Sequence, residues 1–512
     1  MYPMHLQIGR VKVTDVTTEK DIDAIYQAKL DGTSDEVIMK QFSVGLKEIE
    51  RAVVKKTGAN LNLFATKPKF SGFGPKDFTP ESTTVWSFKN RGKWATHNGN
   101  YRGNWSPYIP RNVILRYSQP GDLVLDQFCG GGTTAVEAKL LGRRCIARDI
   151  SHAAVSLTQR NLDFEFPVQE KLDGSAPTVF YEPSIEAGDA RNLSTIKDES
   201  IDLICTHPPY ANIVQYSDGI EGDISFHDVD DFIDDMKQVA KESYRILKTD
   251  GVCAVLIGDM RRKKRVGPLG FRTIEAFLEQ GFHLKDLIIK RQHNCRTTGF
   301  WYTSSIKYNF LLLAQEYLPI FVKIDSSPVE RRAARKQKFA LMLEEVKIPS
   351  APTEMQCKTT WVLPSDQAED SLNANILNRY GGGGQVLRVD IVPSKEESEI
   401  SGSREFDLLY INAIGINTSL KEKPTSHSRL LEKVISPAAA VVKPGGHLIL
   451  RVRDINKKGM TSSPALQLWR NPKSPFHIRE IIVVTTDNST QEETRGILSV
   501  VHEYLLVYQY LK

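Results

Sequence analysis

Two short segments of the chain combine residue types that can hold a nucleoside. The first is residues 123–134, an apolar run that ends in Asp126 and passes through Phe128 into a glycine turn and two threonines. An acidic strand end followed by a glycine turn brings backbone close to a bound ligand and leads into a helix N-terminus. The spacing is not the dinucleotide pattern G-x-G-x-x-G, and the turn lacks the lysine of a phosphate-binding loop. Nucleotides, flavins and methyl donors all remain open as ligands at this point.

Two more acidic residues stand where neighbouring strands are predicted to end. Asp149 closes the run 144–149, and a carboxylate at the end of the second strand can accept hydrogen bonds from ribose hydroxyls. Asp189 follows in 187–190, where a third strand would meet an adenine ring. Both positions favour a ligand with a ribose and an adenine ring.

The second segment is residues 206–210, Thr-His-Pro-Pro-Tyr, which directly follows the apolar run 201–205. Two consecutive prolines have fixed φ angles and no backbone N–H, so they hold a rigid loop whose carbonyls can point at a target. His207 can accept a hydrogen bond from an amino group, and Tyr210 offers a flat face for stacking. The set suits an exocyclic amino group of a flipped-out base, whereas the motif alone would indicate only a structural proline turn.

Together, Asp-x-Phe-x-Gly-x-Gly-Thr-Thr and x-Pro-Pro-Tyr resemble the amino-methyltransferases of DNA, which methylate adenine N6 or cytosine N4 with S-adenosylmethionine. The resemblance covers about residues 86–315, with Gln127 in place of the usual Pro and Gly131 in place of the usual Ser. It implies S-adenosylmethionine as the cofactor. The catalytic residues that it implies are His207, Pro208, Pro209 and Tyr210.

The resemblance also implies where the cofactor binds. Residues 105–110, just ahead of the first strand, look like the family's additional cofactor-binding segment, and 96–104 are expected to join it. The cofactor-binding residues that follow are Trp105, Pro107, Asp126, Phe128, Gly130, Gly132, Thr133, Thr134, Asp149 and Asp189. No metal site is expected.

His207 departs from the family pattern, which has Asp, Asn or Ser at this position. The departure leaves the target base open, with adenine N6 slightly favoured over cytosine N4. A neutral imidazole can accept an amino hydrogen, whereas a charged one would oppose a developing positive amine. Activity is therefore expected to fall at acidic pH, as the imidazole protonates near the ordinary histidine pKa of about 6.5.

The elements around these segments predict an α/β fold, a Rossmann-like methyltransferase sheet with helices on both faces, over 85–325. Short apolar runs with a polar end indicate strands, and helical patterns lie between them. The predicted strands are 123–126, 144–149, 201–205 and 252–257, and the predicted helices are 134–141, 153–162 and 232–247.

The first sixty residues predict a small helical unit. Helices are expected over 21–30, 35–42 and 46–56, with a tight turn at 43–45, so the last two form a helix-turn-helix with 46–56 as the recognition helix. The alternative is a helical hairpin that only caps the next domain. The residues with the spacing to pack across the turn are Ile38, Phe42, Val44, Ile49 and Val53.

The C-terminal part repeats the catalytic part in degenerate form. A charged helical connector is predicted over 326–352, and a second methyltransferase-like α/β unit over 353–512. The matching segments are 406–409 with 201–204, 442–453 with 247–259, 476–484 with 282–290, and 502–508 with 308–315. The Pro-Pro-Tyr segment becomes Asn-Ala-Ile-Gly at 412–415, so the second copy has lost that site. The four glycines at 381–384 are interpreted as a flexible loop.

Clustered cations predict double-stranded DNA as the partner, although the net charge of +5 alone selects none. The expected nucleic-acid contacts are Arg261, Arg262, Lys263, Lys264, Arg265, Arg291, Arg296, Lys47 and Arg51. The resemblance raises a restriction nuclease as a further partner and leaves monomer and homodimer both open. Apolar runs are too short for a membrane span of about 20 residues, and a cytoplasmic location is expected.

Two other functions compete with a site-specific DNA methyltransferase. Pro-Pro-Tyr loops also occur in guanine-N2 methyltransferases of RNA, although a helix-turn-helix reads the duplex major groove, which A-form RNA closes to side chains. A non-catalytic DNA-binding regulator on a methyltransferase scaffold is the other alternative. The presence of Asp126, Asp149 and Tyr210 argues against it.

Overall fold

The alternation of apolar runs and amphipathic helices builds a large mixed sheet. It is seen in a computed structural model that describes residues 19–30, 33, 35–45, 48–49, 52, 68–99, 101, 103–165, 179–214, 216–217, 219–262, 264–293, 296–324, 338–350, 355–394, 400, 405–414, 434–457, 459–472, 474–487 and 497–511. Within these ranges, no helix is both long and apolar enough to cross a bilayer.

The first sheet has nine strands among the described residues. Its strands are β1 (Val85–Ser87), β2 (Leu123–Asp126), β3 (Arg144–Asp149), β4 (Ser184–Ala187), β5 (Ile201–Thr206), β6 (Leu247–Val255), β7 (Ile257–Gly258), β10 (His283–Arg291) and β11 (Gln315–Val322). Between them, β8 (Met260–Arg262) and β9 (Arg265–Gly267) form a separate hairpin. The order is β1-β10-β11-β6-β5-β2-β3-β4, with β7 beside β11.

The directions of the strands in this sheet determine which of the connecting loops lie close together. Neighbours from β6 through β4 pair in parallel, whereas β11 is antiparallel to both β6 and β10. The carboxyl ends of β2, β3, β4 and β5 therefore share one edge, where ligands of open α/β sheets bind. The predicted Rossmann-like methyltransferase fold is confirmed.

Helices cover the sheet because their apolar faces need a partner. They are α3 (Tyr108–Tyr117), α4 (Thr133–Leu140), α5 (His152–Asn161), α6 (Val229–Ile246), α7 (Leu269–Glu279) and α8 (Arg296–Lys307). The helix α4 is buried along its whole length, and α6 is a strongly amphipathic helix capped by Asp228, whose carboxylate accepts from the N–H groups of Asp230 and Asp231. The ends of the three predicted helices of this region all lie within one to three residues of the observed ones.

A second sheet repeats the first. Its strands are β12 (Lys338–Val346), β13 (Thr360–Leu363), β14 (Val386–Ser394), β15 (Phe406–Asn412), β16 (Val442–Arg453), β19 (Phe476–Thr486) and β20 (His502–Tyr510), in the order β12-β14-β15-β16-β20-β19-β13. A small hairpin of β17 (Ile455–Lys457) and β18 (Met460–Ser462) follows β16, as β8 and β9 follow β7. The helices are α9 (Ala368–Tyr380), α10 (Ala438–Val441) and α11 (Pro464–Leu468).

Strand order confirms the predicted repeat but corrects one of its four matches. The strand β20 lies between β16 and β19, in the same position that β11 occupies between β6 and β10. Residues 502–508 therefore correspond to 315–321, which begin Gln-Glu-Tyr where β20 begins His-Glu-Tyr, and not to 308–315. The four glycines at 381–384 precede β14 and so lie at the sheet edge opposite the ligand-binding one.

The predicted helical connector over 326–352 is wrong for its second half. Residues 338–346 form β12, which pairs antiparallel with all nine residues of β14. The charged composition favours a helix locally, but an open sheet edge offers nine residues of backbone pairing, and that tertiary contact overrides propensity. Residues 325–337 lie outside the described ones.

The N-terminal helices agree with prediction where they are described. Helix α1 spans Glu19–Leu30 and α2 spans Asp35–Phe42, and residues 48, 49 and 52 are helical after a turn at 43–45. A small core joins them, made of Ile25, Ile38, Ile49 and Ala52 with Phe42 and Val44 against it. Val53 lies outside the described residues, as do Lys47 and Arg51. Tyr26 contacts His152 edge to face, so α1 packs on α5.

Candidate functional site

Two adjoining cavities open at the shared carboxyl edge of the first sheet. The first, about 780 Å³, lies over the ends of β2, β3 and β4, and the second, about 1080 Å³, lies over the ends of β5, β10 and the start of β11. Trp105 and His207 line both cavities. The glycine loop and the proline loop therefore form one continuous site.

The glycine loop is held by a carboxylate from the next strand. Asp149 accepts hydrogen bonds from the N–H groups of Gly130 and Ser151, each at 2.9 Å. Burial raises the pKa of Asp149 to about 6, against the lowering effect of those two N–H groups. A carboxylate has more lone pairs than these two bonds use, so Asp149 can still accept from ribose hydroxyls.

Asp126 supports the loop from behind instead of facing the cavity. Its Oδ1 accepts from the Phe128 N–H at 3.1 Å and from Thr206 Oγ1 at 2.7 Å, and the residue is buried. Burial raises its pKa to about 6. Because Thr206 immediately precedes the proline loop, this carboxylate ties the two loops together.

The predicted cofactor residues divide into two groups. Those that line the first cavity are Trp105, Phe128, Gly130, Asp149 and Asp189. Those that do not line it are Pro107, Asp126, Gly132, Thr133 and Thr134. The second group stays a prediction as cofactor contacts; in this structure these residues support the loop, because a helix start has to be packed from behind before it can present backbone to a ligand.

Two members of the second group show how that support works. Gly132 caps α4 with φ +78°, and a Cβ there would lie 2.7 Å from Thr158 Cγ2, so the loop packs directly on α5. Thr133 Oγ1 donates to Asn104 Oδ1 at 2.5 Å, which joins α4 to the segment 96–104. That segment was expected to take part in the site, and Asn104 lines both cavities.

A buried carboxylate of α4 fixes the rest of the preceding segment. Glu137 accepts from Trp94 Nε1 at 2.6 Å and from Arg111 Nη1 at 2.9 Å, and its Oε1 lies 2.7 Å from His97 Nε2. The pairing with Arg111 makes a fully buried carboxylate tolerable. Trp105, which lies between Trp94 and Arg111 in the chain, is buried and lines both cavities.

The sequence reasoning missed several lining residues, three of which make contacts that shape the site. Arg191 pairs in bidentate fashion with Asp189, with Nη2 to Oδ2 at 2.7 Å, and also bonds Asp235 at 2.7 Å. Tyr216 stacks on Tyr101 across the first cavity, with ring centroids 6.1 Å apart. The D-x-R spacing after a strand end is a signal that points to Arg191, whereas nothing local points to the aromatic pair.

The proline loop sits in a chain of polar contacts. His207 Nε2 lies 2.9 Å from Tyr210 Oη, Tyr210 Oη donates to Glu316 Oε1 at 2.8 Å, and Lys290 Nζ donates to Glu316 Oε2 at 2.6 Å. Glu316 is the third of the missed residues that shape the site. Its signal is a charged residue inside the apolar strand β11, where only a paired charge is stable.

Burial and the nearby Lys290 have the main influence on the protonation states of these side chains. Burial lowers the pKa of His207 to about 4, with Glu316 opposing and Lys290 assisting. Burial would raise the pKa of Glu316, but Lys290, His207 and Tyr210 together outweigh it and lower the value to about 2. Burial also raises the pKa of Tyr210. The acid loss of activity expected near the ordinary histidine pKa therefore moves down to about 4 for this group.

Both rings of the proline loop are confined by neighbours. The imidazole of His207 stacks on Trp105, with centroids 5.4 Å apart and planes at 24°. Tyr210 lies against Gly258, where a Cβ would be 2.8 Å from Tyr210 Cε2. Pro208 is buried and Pro209 lines the first cavity. His207 therefore stands at the boundary between the two cavities.

The predicted DNA contacts fall into different environments. Arg261 stays a prediction as a nucleic-acid contact; its guanidinium pairs with Glu480, bonds it through Nη1 at 3.2 Å, and is only 14% exposed. Arg262 donates to Asn212 at 2.7 Å beside the proline loop, and Lys264 Nζ lies 3.9 Å from the centre of the Tyr308 ring. Arg265 and Arg291 are partly exposed. Lys263 lies outside the described residues, and Arg296 begins α8 without a described side chain.

The second unit has filled the corresponding position with arginines. In the match of 442–453 with 247–258, Arg453 stands at Gly258 and Arg451 at Leu256. Arg451 is buried and bonds Glu503 at 2.8 Å and Glu369 at 2.9 Å. A side chain the size of arginine leaves no room for a Tyr210-like ring, so the loss of the Pro-Pro-Tyr segment and the loss of its pocket go together.

Within the described part of the chain, neither a metal-binding cluster nor a reactive cysteine is found at the site. No group of three or more His, Cys, Asp or Glu there can hold a metal ion. Cys129, in the glycine loop, packs against Thr158 with Sγ 3.5 Å from Oγ1, and burial raises the pKa of its thiol. A buried neutral thiol is a poor nucleophile.

Comparison with protein families places these features in context. A family model described as DNA methylase matches residues 39–160 and 201–397, more than half of the chain. A second model, described as an RMKL-like methyltransferase domain, matches residues 113–245.

Individual relatives match shorter segments. A tRNA (guanine(10)-N2)-dimethyltransferase of Methanothermobacter thermautotrophicus is 34% identical over 117 residues, 22% of this chain and 29% of that protein. The type II methyltransferase M.MjaI of Methanocaldococcus jannaschii is 27% identical over 163 residues, 27% of this chain and 54% of that protein. The chain thus spans between about a quarter and about half of these relatives. A SAM-dependent methyltransferase structure from Methanosarcina mazei is 15% identical, with a TM-score of 0.28 over 41% of this chain and 97% of that one.

Proposed function

The chain belongs to the DNA methylase family, and we propose that it transfers a methyl group from S-adenosylmethionine to an exocyclic amino group of a base flipped out of double-stranded DNA. The observation that carries the proposal is the pair of cavities that meet at Trp105 and His207. A methyl donor on one side and an amino group on the other can approach each other directly at this boundary, without a covalent enzyme intermediate.

The first cavity fits the donor. It lies over the carboxyl ends of three parallel strands, where open α/β sheets bind their ligands. Asp149 supplies acceptor oxygens for ribose hydroxyls, Asp189 is held rigid by Arg191 at the next strand end, and Trp105 and Tyr101 supply apolar walls. When bound, S-adenosylmethionine supplies a methyl group on a positively charged sulfur.

The second cavity fits the base. His207 and the carbonyl of Pro208 accept the two amino hydrogens and so direct the nitrogen lone pair toward the first cavity, while Tyr210 packs on the face of the extruded base. Because the pKa of His207 is about 4, the imidazole is neutral at ordinary pH and does not oppose the positive charge that develops on the amine. Positioning and electrostatics supply most of the rate.

The choice of base stays open between two amino groups. Adenine N6 and cytosine N4 both offer two hydrogens beside an unprotonated ring nitrogen, and both fit the acceptors of this loop. We favour adenine N6 slightly. Arg262, Lys264, Arg265 and Arg291 lie around the mouth of this site or on the hairpin beside it and supply phosphate contacts.

A product analysis tests the proposal. The protein is incubated with labelled donor and plasmid DNA, the DNA is digested to nucleosides, and the labelled nucleoside is identified. N6-methyladenosine or N4-methylcytidine as the deoxy form is the expected product, and His207→Ala and Tyr210→Ala variants should lose it. Full activity in either variant would show that the catalytic assignment is misplaced.

RNA is the second candidate substrate because one relative is a tRNA guanine-N2 dimethyltransferase at 34% identity. Guanine N2 is also an exocyclic amino group, so the same loop chemistry serves. The same experiment with transfer RNA separates the two: label in RNA and none in DNA would replace the first proposal with the second.

A further inference from the structure

Three side chains link strands β10 and β11 to the imidazole at the boundary of the two cavities. Lys290 bonds one oxygen of Glu316, Tyr210 bonds the other, and Tyr210 Oη lies 2.9 Å from His207 Nε2. Glu316 is 7% exposed, so its two oxygens are largely shielded from bulk water. This series of hydrogen bonds has a direction, because each hydrogen bond has one donor and one acceptor.

That direction follows from Glu316. The carboxylate has no proton to donate, because its ion pair with Lys290 and its other polar contacts together outweigh the effect of burial and lower its pKa to about 2. The single hydroxyl proton of Tyr210 therefore points to Glu316, and a lone pair of its oxygen faces His207. A bond between that oxygen and Nε2 requires a proton on Nε2. A neutral imidazole carries only one N–H, so Nδ1 is left with a lone pair.

We propose that Glu316 is a positioning residue that acts through Tyr210 to set the tautomer of His207, so that Nδ1 presents a lone pair to the exocyclic amino group of the target base. The proposal rests on the function proposed above and deepens it. Nδ1 has no hydrogen-bond partner within the described part of the chain, and His207 lines both cavities.

The proposal explains how histidine can replace the Asp, Asn or Ser that is usual at this position. A carboxylate, amide or hydroxyl always carries an acceptor oxygen. An imidazole is an acceptor at only one nitrogen, and the wrong tautomer would place an N–H against the N–H of the amino group. Something outside the loop must then choose the nitrogen, and Glu316 is the group in contact that can do so.

The sharpest test is Glu316→Gln, which changes no heavy-atom count. The ammonium of Lys290 must face the amide oxygen, so the amide NH2 turns to Tyr210 Oη and donates to it. The hydroxyl proton of Tyr210 is then redirected to His207 Nε2, and the imidazole proton moves to Nδ1. The variant therefore exchanges donor and acceptor in both hydrogen bonds that link residue 316, Tyr210 and His207.

Nitrogen NMR of the full chain labelled with ¹⁵N-histidine reads the tautomer directly, with the His207 signals assigned by their loss in His207→Asn. Wild type should show a protonated Nε2 and an unprotonated Nδ1, and Glu316→Gln the opposite. This readout needs no activity and no substrate. A wild-type protein with its proton on Nδ1 overturns the inference.

Single-turnover methyl transfer to DNA gives the functional readout. Glu316→Gln should lower the rate on the order of 100-fold, while the affinity for S-adenosylhomocysteine stays within about twofold. Glu503→Gln is the matched control, because Glu503 occupies the corresponding position of β20 and bonds Arg451 in place of Lys290. The control should keep the wild-type tautomer and rate.

The two proposals fail in different ways. Wild type that transfers no methyl group to DNA overturns the proposed function, and the tautomer is still measured. Wild type that is active together with an unchanged tautomer and rate in Glu316→Gln overturns only the inference. If circular dichroism shows that Glu316→Gln does not fold, Tyr210→Phe removes the same link. That variant should show a mixture of tautomers and a reduced rate, and a wild-type tautomer and rate there would overturn the inference.

Discussion

Thr84 Oγ1 lies 2.8 Å from Nδ1 of His502, and this buried pair joins the two halves of the chain. The same contact occurs in the reverse direction, where Thr359 Oγ1 donates to Gln315 Oε1. Thr84 and Gln315 belong to the first unit, Thr359 and His502 to the second. Each unit therefore contributes one threonine and one partner side chain to the interface.

The backbone repeats this exchange. The Thr84 N–H donates to the Ser499 carbonyl at 3.0 Å, and the Thr359 N–H donates to the Leu312 carbonyl at 2.8 Å. Reciprocal contacts of this kind define an isologous interface between the subunits of a homodimer. Here the interface lies within one chain, and a shared apolar core crosses it. The degenerate unit therefore supports the catalytic one as a built-in partner.

Arg261→Met tests the ion pair that crosses this interface. The variant leaves Glu480, only 1% exposed, as an unpaired buried carboxylate, which should reduce the free energy of unfolding by about 3–5 kcal/mol. The double variant Arg261→Met with Glu480→Met should recover most of that loss. Urea denaturation measures both. A stable Arg261→Met protein with weakened DNA binding would restore Arg261 as a nucleic-acid contact.

Gly258→Ala tests the confinement of Tyr210. The added Cβ would lie 2.8 Å from Tyr210 Cε2, and the ring cannot move away while its hydroxyl stays bonded to Glu316. The single-turnover rate should fall about 10-fold, because small displacements at a reacting centre are costly. The affinity for S-adenosylhomocysteine, measured by calorimetry, should not change. An unchanged rate would mean that Tyr210 does not position the base.

Cofactor affinity should depend on pH through Asp149. Its pKa of about 6 means that the carboxylate protonates in mild acid and then accepts fewer bonds from ribose hydroxyls. Below about pH 6 the affinity should fall by up to about tenfold for each pH unit. Calorimetry with S-adenosylhomocysteine from about pH 8 to about pH 5 measures it. Asp149→Asn should bind more weakly at all these pH values and show a flatter profile.

Acid unfolding of the protein does not account for the loss of cofactor affinity that is expected from Asp149. A carboxyl whose folded-state pKa of about 6 lies above its ordinary value of 3.8 binds protons more readily in the folded chain. Its contribution to the free energy of unfolding therefore rises as pH falls from about 6 to about 4. A melting temperature that drops in parallel with the affinity over this range would contradict the assignment.

The transfer rate at saturating donor should behave differently from the affinity. His207 stays neutral until about pH 4, so its titration does not reduce the rate in mild acid. Between about pH 8 and about pH 5 the rate per bound donor should be flat within about twofold. Quench-flow assays measure it. A single-proton decline centred near the ordinary histidine pKa would show that His207 is more exposed in solution than its burial here indicates.

Arg265→Ala tests the cationic hairpin as a DNA contact. Loss of one phosphate contact should weaken DNA binding for all sequences alike and reduce the slope of log affinity against log salt by about 0.9. Fluorescence anisotropy at several salt concentrations measures the slope. Arg144→Ala is the control, because Arg144 is exposed at the start of β3, on the sheet edge away from the site. Equal slopes in both variants would show that Arg265 does not contact a DNA phosphate.

Local patterns were enough to predict the framework of the site. The strands β2 and β3 were predicted to the residue. A short apolar run with a polar end fits a strand that is buried on both faces of a sheet and ends where the sheet meets solvent. The glycine turn and the twin prolines were located for the same reason, since each restricts its own backbone. The parallel direction of β2, β3 and β5 then brings their loops to one edge.

Partners that are distant in sequence were not predictable in this way. Arg261 belongs to a run of cations that indicates nucleic acid, and only the position of Glu480 on β19 turns it into an interface residue. Residues 338–346 favour a helix by composition, and only the open edge at β14 makes them a strand. In both cases the deciding contact lies on another element.

The amino-acid sequence by itself determined the family, the fold class, the cofactor and the two loops, because these depend on short-range spacing and on the backbone limits of glycine and proline. Tertiary structure alone decided that Glu316 stands behind Tyr210, that Asp126 lies behind the cofactor loop, and that the second unit is joined to the first by reciprocal contacts. A hydrogen bond between side chains 80 or more residues apart exists only once the sheet has brought two strands together, and no local pattern encodes that distance.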